Sequence, residues 1–202
     1  MILLKKKIAA IVLAAGASIR MNGRVKQLLP WRGETLIENA IELATQSHTD
    51  ETLVVLGAHA DAIQPFVEKT SARIVINPQW ESGHATSIRA GLRALAPEIA
   101  AAIFINADQP FLTCEVINAL IQCYRDTDAP IIASVFAGKR GSPVLFDRAY
   151  FAELEDLRGE QGGRELLEKY PVACIEFDDT RFGIDVDTWE EYANLLDTDK
   201  CG

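Results

Sequence analysis

The sequence predicts an α/β fold, an open and mostly parallel sheet with helices on both faces, three layers in all. Three observations predict it. Short runs rich in Ile and Val recur along the chain, each too short for a helix. These runs are apolar almost without interruption, as strands covered on both faces must be. Segments with helical spacing of apolar residues separate them, so strand and helix alternate as in βαβ units.

The first strand is read in "IAAIVLA" over 8–14, and a helix is predicted over 35–46. "TLVVLG" (52–57), a helix over 59–69, "ARIVIN" (72–77) and a helix over 85–96 follow in the same rhythm. "AAIFIN" (101–106), a helix over 113–126 and "PIIASVF" (130–136) complete the regular part. After residue 137 the pattern loosens. "SPVLFD" reads as a strand, 149–157 and 162–169 as helices, "VACIEF" as a strand, and a last helix starts at about 188. One or two of these late strands are expected to run antiparallel. No repeat, low-complexity run or linker interrupts the chain, so residues 1–202 are expected to form a single domain with a real core.

A net charge of −9 argues against broad nucleic-acid or anionic-membrane binding, which needs a spread of Lys and Arg. An anionic ligand must therefore be met locally. Seven basic residues (Lys5, Lys6, Lys7, Arg20, Arg24, Lys26 and Arg32) precede the first acid, Glu34, and the remaining 169 residues carry 13 basic against 29 acidic side chains. The stretch around 20–32 is thus expected to be a positive cradle for a phosphorylated ligand. Cys114, Cys123, Cys174 and Cys201 lack the paired spacings of a zinc site or a disulfide framework, and reduced thiols in the cytoplasm are expected. The start "MILLKKKIAAIVLAAGA" mimics a signal peptide, but cleavage would remove the first strand of the pattern. No other apolar run approaches the roughly 20 residues of a membrane helix.

Ligands of open α/β sheets bind beyond the carboxyl ends of the strands, and four constellations lie there. Ala14, Ala15 and Gly16 close the first strand with side chains small enough for a backbone to approach a ligand, and loop amides can cradle phosphate oxygens. Arg20 and Lys26 add fixed positive charge. Neither a P-loop nor a dinucleotide fingerprint is present, and a surface loop that is merely basic is the alternative. In "NPQWESGHATSIRAGL" (77–92), Gly83 marks a turn and Ser87 lies on the helix that follows. Free amides there would suit a base or sugar, while plain capping by Ser82 or Thr86 explains the residues equally well. In "AAIFINADQPF" (101–111), Asp108 follows its strand by two residues and Pro110 stiffens the turn. A carboxylate so placed suits Mg²⁺, or else forms an Asx turn. In "FGIDVDTWEEY" (182–192), Asp185 and Asp187 alternate, so in an extended segment they point the same way. One could complete a metal site while Asp187 or Thr188 caps the next helix. His48, His59 and His84 have no ligand spacing, and no chemistry is assigned to His48 or His59.

These pieces, in this order, resemble the MobA-like nucleotidyltransferases, most closely the molybdenum cofactor cytidylyltransferases. "LAAGASIRMNGRVKQLLP" is similar to the family pattern L-A-[AG]-G-x-S-x-R-M-G-x-x-K-x-L-L-P, and "NPQWESGHATSIRAGL", "NADQPFLT", "GSPVLF", "GEQGGRELL" and "DVDT" extend the match over essentially the whole chain. The resemblance implies a Rossmann-like sheet of the nucleotide-diphospho-sugar transferase type, and Mg²⁺-dependent transfer of CMP from CTP to a phosphorylated acceptor with release of pyrophosphate. Ala15, in "LAAG" rather than "LAGG", goes with CTP rather than GTP. Carried over by position, Leu13, Ala14, Ala15 and Gly16 contact the nucleotide, as do Gly83 and Ser87. Arg20 and Lys26 meet its phosphates, and Asp108 and Asp187 hold Mg²⁺. The implied acceptor is the terminal phosphate of molybdopterin carrying molybdenum, whose product serves some molybdenum hydroxylases. Transfer to a sugar phosphate or methylerythritol phosphate, and a non-catalytic cofactor carrier, are the competing readings. The chain departs from the pattern in three places: one extra residue between Met21 and Lys26, Ala107 where Gly is common before the acid, and Ser142 where many relatives have His.

Overall fold

The computed structural model describes residues 6–127 and 129–199, without the side chains of 198 and 199. Lys5, Asp128 and Cys201 lie outside the described residues. Strand β1 (Lys7–Ala14) is followed by a two-strand hairpin, β2 (Pro30–Trp31) and β3 (Glu34–Thr35), and by helix α1 (Leu36–Gln46). Next come β4 (Glu51–Leu56), α2 (Ala60–Val67), β5 (Arg73–Ile76), α3 (His84–Arg93), β6 (Ile99–Asn106) and α4 (Cys114–Thr127). The later half adds β7 (Ile131–Phe136), β8 (Lys139–Asp147), α5 (Phe151–Asp156), α6 (Arg164–Lys169), β9 (Ala173–Phe177) and α7 (Trp189–Asp199).

Seven strands form one sheet in the order β5-β4-β1-β6-β8-β7-β9. β1 pairs in parallel with β4 and β6, and β7 with β9, while β8 runs antiparallel to both β6 and β7. The expected late reversal is therefore one strand. Alternation along β1 sends Ile8, Ala10, Val12 and Ala14 into the core beneath α1, α2 and α4, and Ile11 into the core beneath α3, α5 and α6. That division accounts for uninterrupted apolarity, since Ile8, Ala9, Ala10, Ile11 and Val12 are fully buried on both faces of β1.

The helix predicted over 85–96 stops at Arg93. Pro97 disfavours helical geometry at Ala96, and the chain turns there instead. β8 begins three residues before "SPVLFD", because Ala137 and Gly138, both at positive φ, make the two-residue turn that a tight hairpin needs. Arg32 and Gly33 do the same between β2 and β3, a hairpin that the apolar pattern does not reveal. A third, smaller core joins the chain's two ends. Met21, Leu29, Trp31 and Leu36 pack there against Val186, Tyr192 and Leu195 of the C-terminal arm, and the Tyr192 hydroxyl donates to Pro30 O at 2.6 Å.

Candidate active site

β1, β4, β5 and β6 are parallel and end side by side, so the segments after Ala14, Leu56, Ile76 and Asn106 gather at one edge of the sheet. A cavity of about 500 Å³ opens there. Gly57 lets two of the segments touch: a Cβ on it would stand 2.7 Å from Ala15 O and from Trp80 Cβ.

At the cavity floor the Lys26 ammonium, 16% exposed, forms an ion pair with Asp108 Oδ2 and lies 3.3 Å from Asp187 Oδ1. Burial disfavours this ammonium, but Asp108 and Asp187 outweigh burial and hold Lys26 above the ordinary lysine value. The extra residue in "RMNGRVK" does not displace it. Asn22 and Gly23, both at positive φ, bulge outward in a turn, and Lys26 N is fixed by Ser18 Oγ at 2.9 Å. Asp108 makes no Asx turn. Its second oxygen, Oδ1, is buried without a hydrogen-bond partner, and its carbonyl accepts from Val186 N at 2.9 Å, which docks the arm bearing Asp185 and Asp187.

On that arm Thr188 caps α7 in a reciprocal box with Glu191, which leaves the Asp187 carboxylate for Lys26 and for Arg20 Nη2 at 3.2 Å. Asp185 also lines the cavity. Desolvation first, then repulsion by Asp108 and Asp187, push its carboxyl up to about 7, against the pull of Lys26.

The opposite wall is the start of α3. Gly83, at φ 100°, lies so close to Gly159 that a Cβ would come within 2.3 Å of it, and Gly159 O accepts from Ala85 N at 3.0 Å. Neither Ser82 nor Thr86 caps this helix. Thr86 Oγ1 bonds to Gln79 O and Gly83 O, and Asn77 Nδ2 donates to Ser87 Oγ at 3.0 Å. Leu13, His84 and Asn106 line this cavity and also a second one of about 540 Å³. The second has apolar walls that include Phe104 and Phe146, and Lys139, Arg140, Ser142 and Arg164 also line it.

Of the residues expected from sequence, Leu13, Ala15, Gly16, Lys26, Gly83, Ser87, Asp108 and Asp187 line one cavity, while Ala14 and Arg20 do not. The expected positive cradle is corrected. Arg24 stacks on Trp189 at 3.8 Å and Arg32 lies over Trp31 and Phe111. The ionisable lining is Lys26 and His84 against Glu81, Asp108, Glu160, Asp185 and Asp187. Two contributors were missed: buried Gln27, beside Lys26, and His59, to which no chemistry was assigned. Both bond to loop carbonyls, contacts that no spacing in the sequence signals.

The chain is similar to several known proteins. Nicotine blue oxidoreductase of Paenarthrobacter nicotinovorans is 32% identical, over 94% of this chain and 96% of that protein. Molybdenum cofactor cytidylyltransferase of Escherichia coli K12 is 24% identical, over 92% and 93%. The crystal structure of Rv0371c from Mycobacterium tuberculosis H37Rv superposes with a TM-score of 0.86 at 29% identity, covering 96% of this chain and all of that one, and its manganese complex gives 0.81 at 28%. Residues 10–174 match the MobA-like NTP transferase domain. With that match covering most of the sheet and all of the cavity lining except Asp185 and Asp187, the chain belongs to the MobA-like NTP transferase family.

Proposed function

We propose that the protein transfers CMP from CTP to the terminal phosphate of molybdopterin, releasing pyrophosphate. The observation that carries this reading is the Lys26 ammonium, buried between Asp108 and Asp187 opposite a loop of small residues at the mouth of the parallel strands. In this reading an acceptor phosphate oxygen attacks the α-phosphorus, and the bond to the β-phosphate oxygen breaks. Both reactants are anions, so positioning and charge neutralisation carry the catalysis. Lys26 faces the negative charge that grows on the α-phosphate, Arg20 steadies Asp187, and Gly83 and Ser87 wall the nucleoside.

Mg²⁺ fits these residues. Acidic side chains outnumber basic ones at the lining, so an entering triphosphate calls for a cation; Asp108 Oδ1 has no partner, and Mg²⁺ is usually held by one or two carboxylates plus substrate phosphates. Among the described residues no group of three or more His, Cys, Asp or Glu could hold a metal alone, so substrate phosphate oxygens would have to complete the coordination. Asp108 and Asp187 would hold the ion, and when bound it supplies charge neutralisation across the phosphates. The manganese complex of the Rv0371c protein supports a divalent cation.

The second cavity suits the acceptor, with aromatic walls for a flat ring and Lys139, Arg140 and Arg164 for its phosphate. The same apolar walls admit one other reading, redox chemistry on a flat ring, since one relative is named nicotine blue oxidoreductase. Pyrophosphate release decides between them. With CTP, Mg²⁺ and molybdenum-loaded molybdopterin the wild type is expected to turn over, and Lys26→Ala to lose about 10²- to 10³-fold. Redox turnover of a flat dye without any pyrophosphate would reverse the assignment.

A further inference from the structure

The carbonyls of four successive residues, Ala14 at the end of β1 and Ala15, Gly16 and Ala17 in the loop after it, are all engaged by donors from other segments. Gln27 Nε2 donates to Ala14 O and to Gly16 O, each at 3.3 Å. Ala58 N donates to Ala15 O at 3.1 Å, and His59 Nε2 lies 3.0 Å from Ala17 O. A carbonyl only accepts, so the imidazole carries its hydrogen on Nε2. The Gln27 amide is oriented from its other end too, since Oε1 accepts from Ser18 Oγ at 3.2 Å. Among the described residues no protein acceptor takes the amides of Gly16, Ala17 or Ser18.

The Ala17–Ser18 peptide has an alternative. Ser18 holds φ at 55°, a left-handed value that an L-residue adopts at a cost. Turning that peptide over would return Ser18 to negative φ and exchange the directions of Ala17 O and Ser18 N–H. A carbonyl dipole would then stand where a donor stands now. The hydrogen bond from His59 opposes that exchange, and Gln27 fixes the carbonyls on either side of Ala15.

We propose that His59 and Gln27 are positioning residues that hold this loop as a donor-only surface for the triphosphate. The inference rests on the nucleotide reading of the cavity and adds to it the two side chains that set the loop's polarity. His59 lies outside the cavity lining, and Gln27, although at the lining, has both ends of its amide engaged by the loop. Their effect should therefore fall on phosphate recognition and spare the nucleoside.

The test measures binding of CTP, inorganic pyrophosphate and CMP, each with Mg²⁺, to the wild type, His59→Leu, His59→Gln and Gln27→Met, with thermal melting to establish folding. We expect His59→Leu to weaken CTP and pyrophosphate about tenfold while CMP changes less than threefold, and Gln27→Met to show the same split. His59→Gln, which keeps a donor, should recover most of the loss. Unchanged CTP affinity in His59→Leu overturns the proposal, and so does an equal loss for CTP and CMP, the mark of a merely structural role. A wild type that binds none of the three overturns the nucleotide reading and this proposal with it. Should His59→Leu melt before measurement, Gln27→Met and His59→Gln decide by the same ratio of CTP to CMP.

Discussion

His84 is shared by both cavities, and its surroundings make it a reporter of their charge. Burial, the larger influence, pushes the imidazole below the ordinary histidine value, and Glu160, Asp108 and Glu165 only partly restore it. The sign follows from linkage. In the pH range just below the ordinary value of 6.5 the unfolded chain binds the proton and the folded chain resists it, so stability rises with pH there. The contribution is complete above that value and is lost as pH falls through the folded value. Urea midpoints at pH 8 and pH 5.5 should therefore drop further for the wild type than for His84→Gln, since every other titration is common to both. Equal drops would mean that the imidazole is solvated in the folded protein. The alternating carboxylates fall on the same scale: Thr188 takes the capping role, so the two readings of "DVDT" separate by residue, a division that spacing alone leaves open.

Among the elements, α3 shows how a wall is made by a glycine. Gly83 begins the helix at φ 100° with Gly159 against it, whereas Gly33, at φ 94° in the β2–β3 hairpin, has open space where a Cβ would stand, with no atom within 4 Å. Gly33→Ala thus meets only backbone cost, about 1 kcal/mol, while Gly83→Ala adds a steric clash with main chain, for a total of about 2 to 4 kcal/mol. Thermal melts of the two variants check the difference, and equal shifts would show that the α5–α6 segment yields freely. The regular strands and helices were legible because a buried parallel strand must be apolar on both faces. The turns were less so. Arg32 and Ala137 adopt positive φ without being glycine, so neither hairpin carries the usual Asn-Gly or Asp-Gly mark.

At the scale of the whole molecule, the site joins residues from opposite ends of the chain: Lys26 meets Asp108, 82 residues away, and Asp187, 161 residues away. Sequence identified those three groups because Lys26 stands in the acid-free basic stretch after the first strand, Asp108 follows its apolar strand by two residues and Asp187 alternates with Asp185. It did not reveal their balance of charge, since Arg24 and Arg32 are drawn onto aromatic faces that only the folded chain brings to them. Trp189 packs on Tyr192, stacks under Arg24, and donates its backbone N–H to Arg20 O at 3.3 Å, so it holds Asp187 against the loop. A ligand at 100 times its dissociation constant stabilises by about 2.7 kcal/mol, or roughly 5 to 11 °C at 2 to 4 °C per kcal/mol for a chain of this size. CTP with Mg²⁺ should raise the wild-type midpoint by that much, and CTP without Mg²⁺ by less. In Trp189→Ala the increment that depends on Mg²⁺ should shrink while the remainder persists, because the arm contributes Asp187 and the loop after β1 stays in place. An undiminished Mg²⁺ increment in that variant would mean that Asp108 holds the cation without help from the arm.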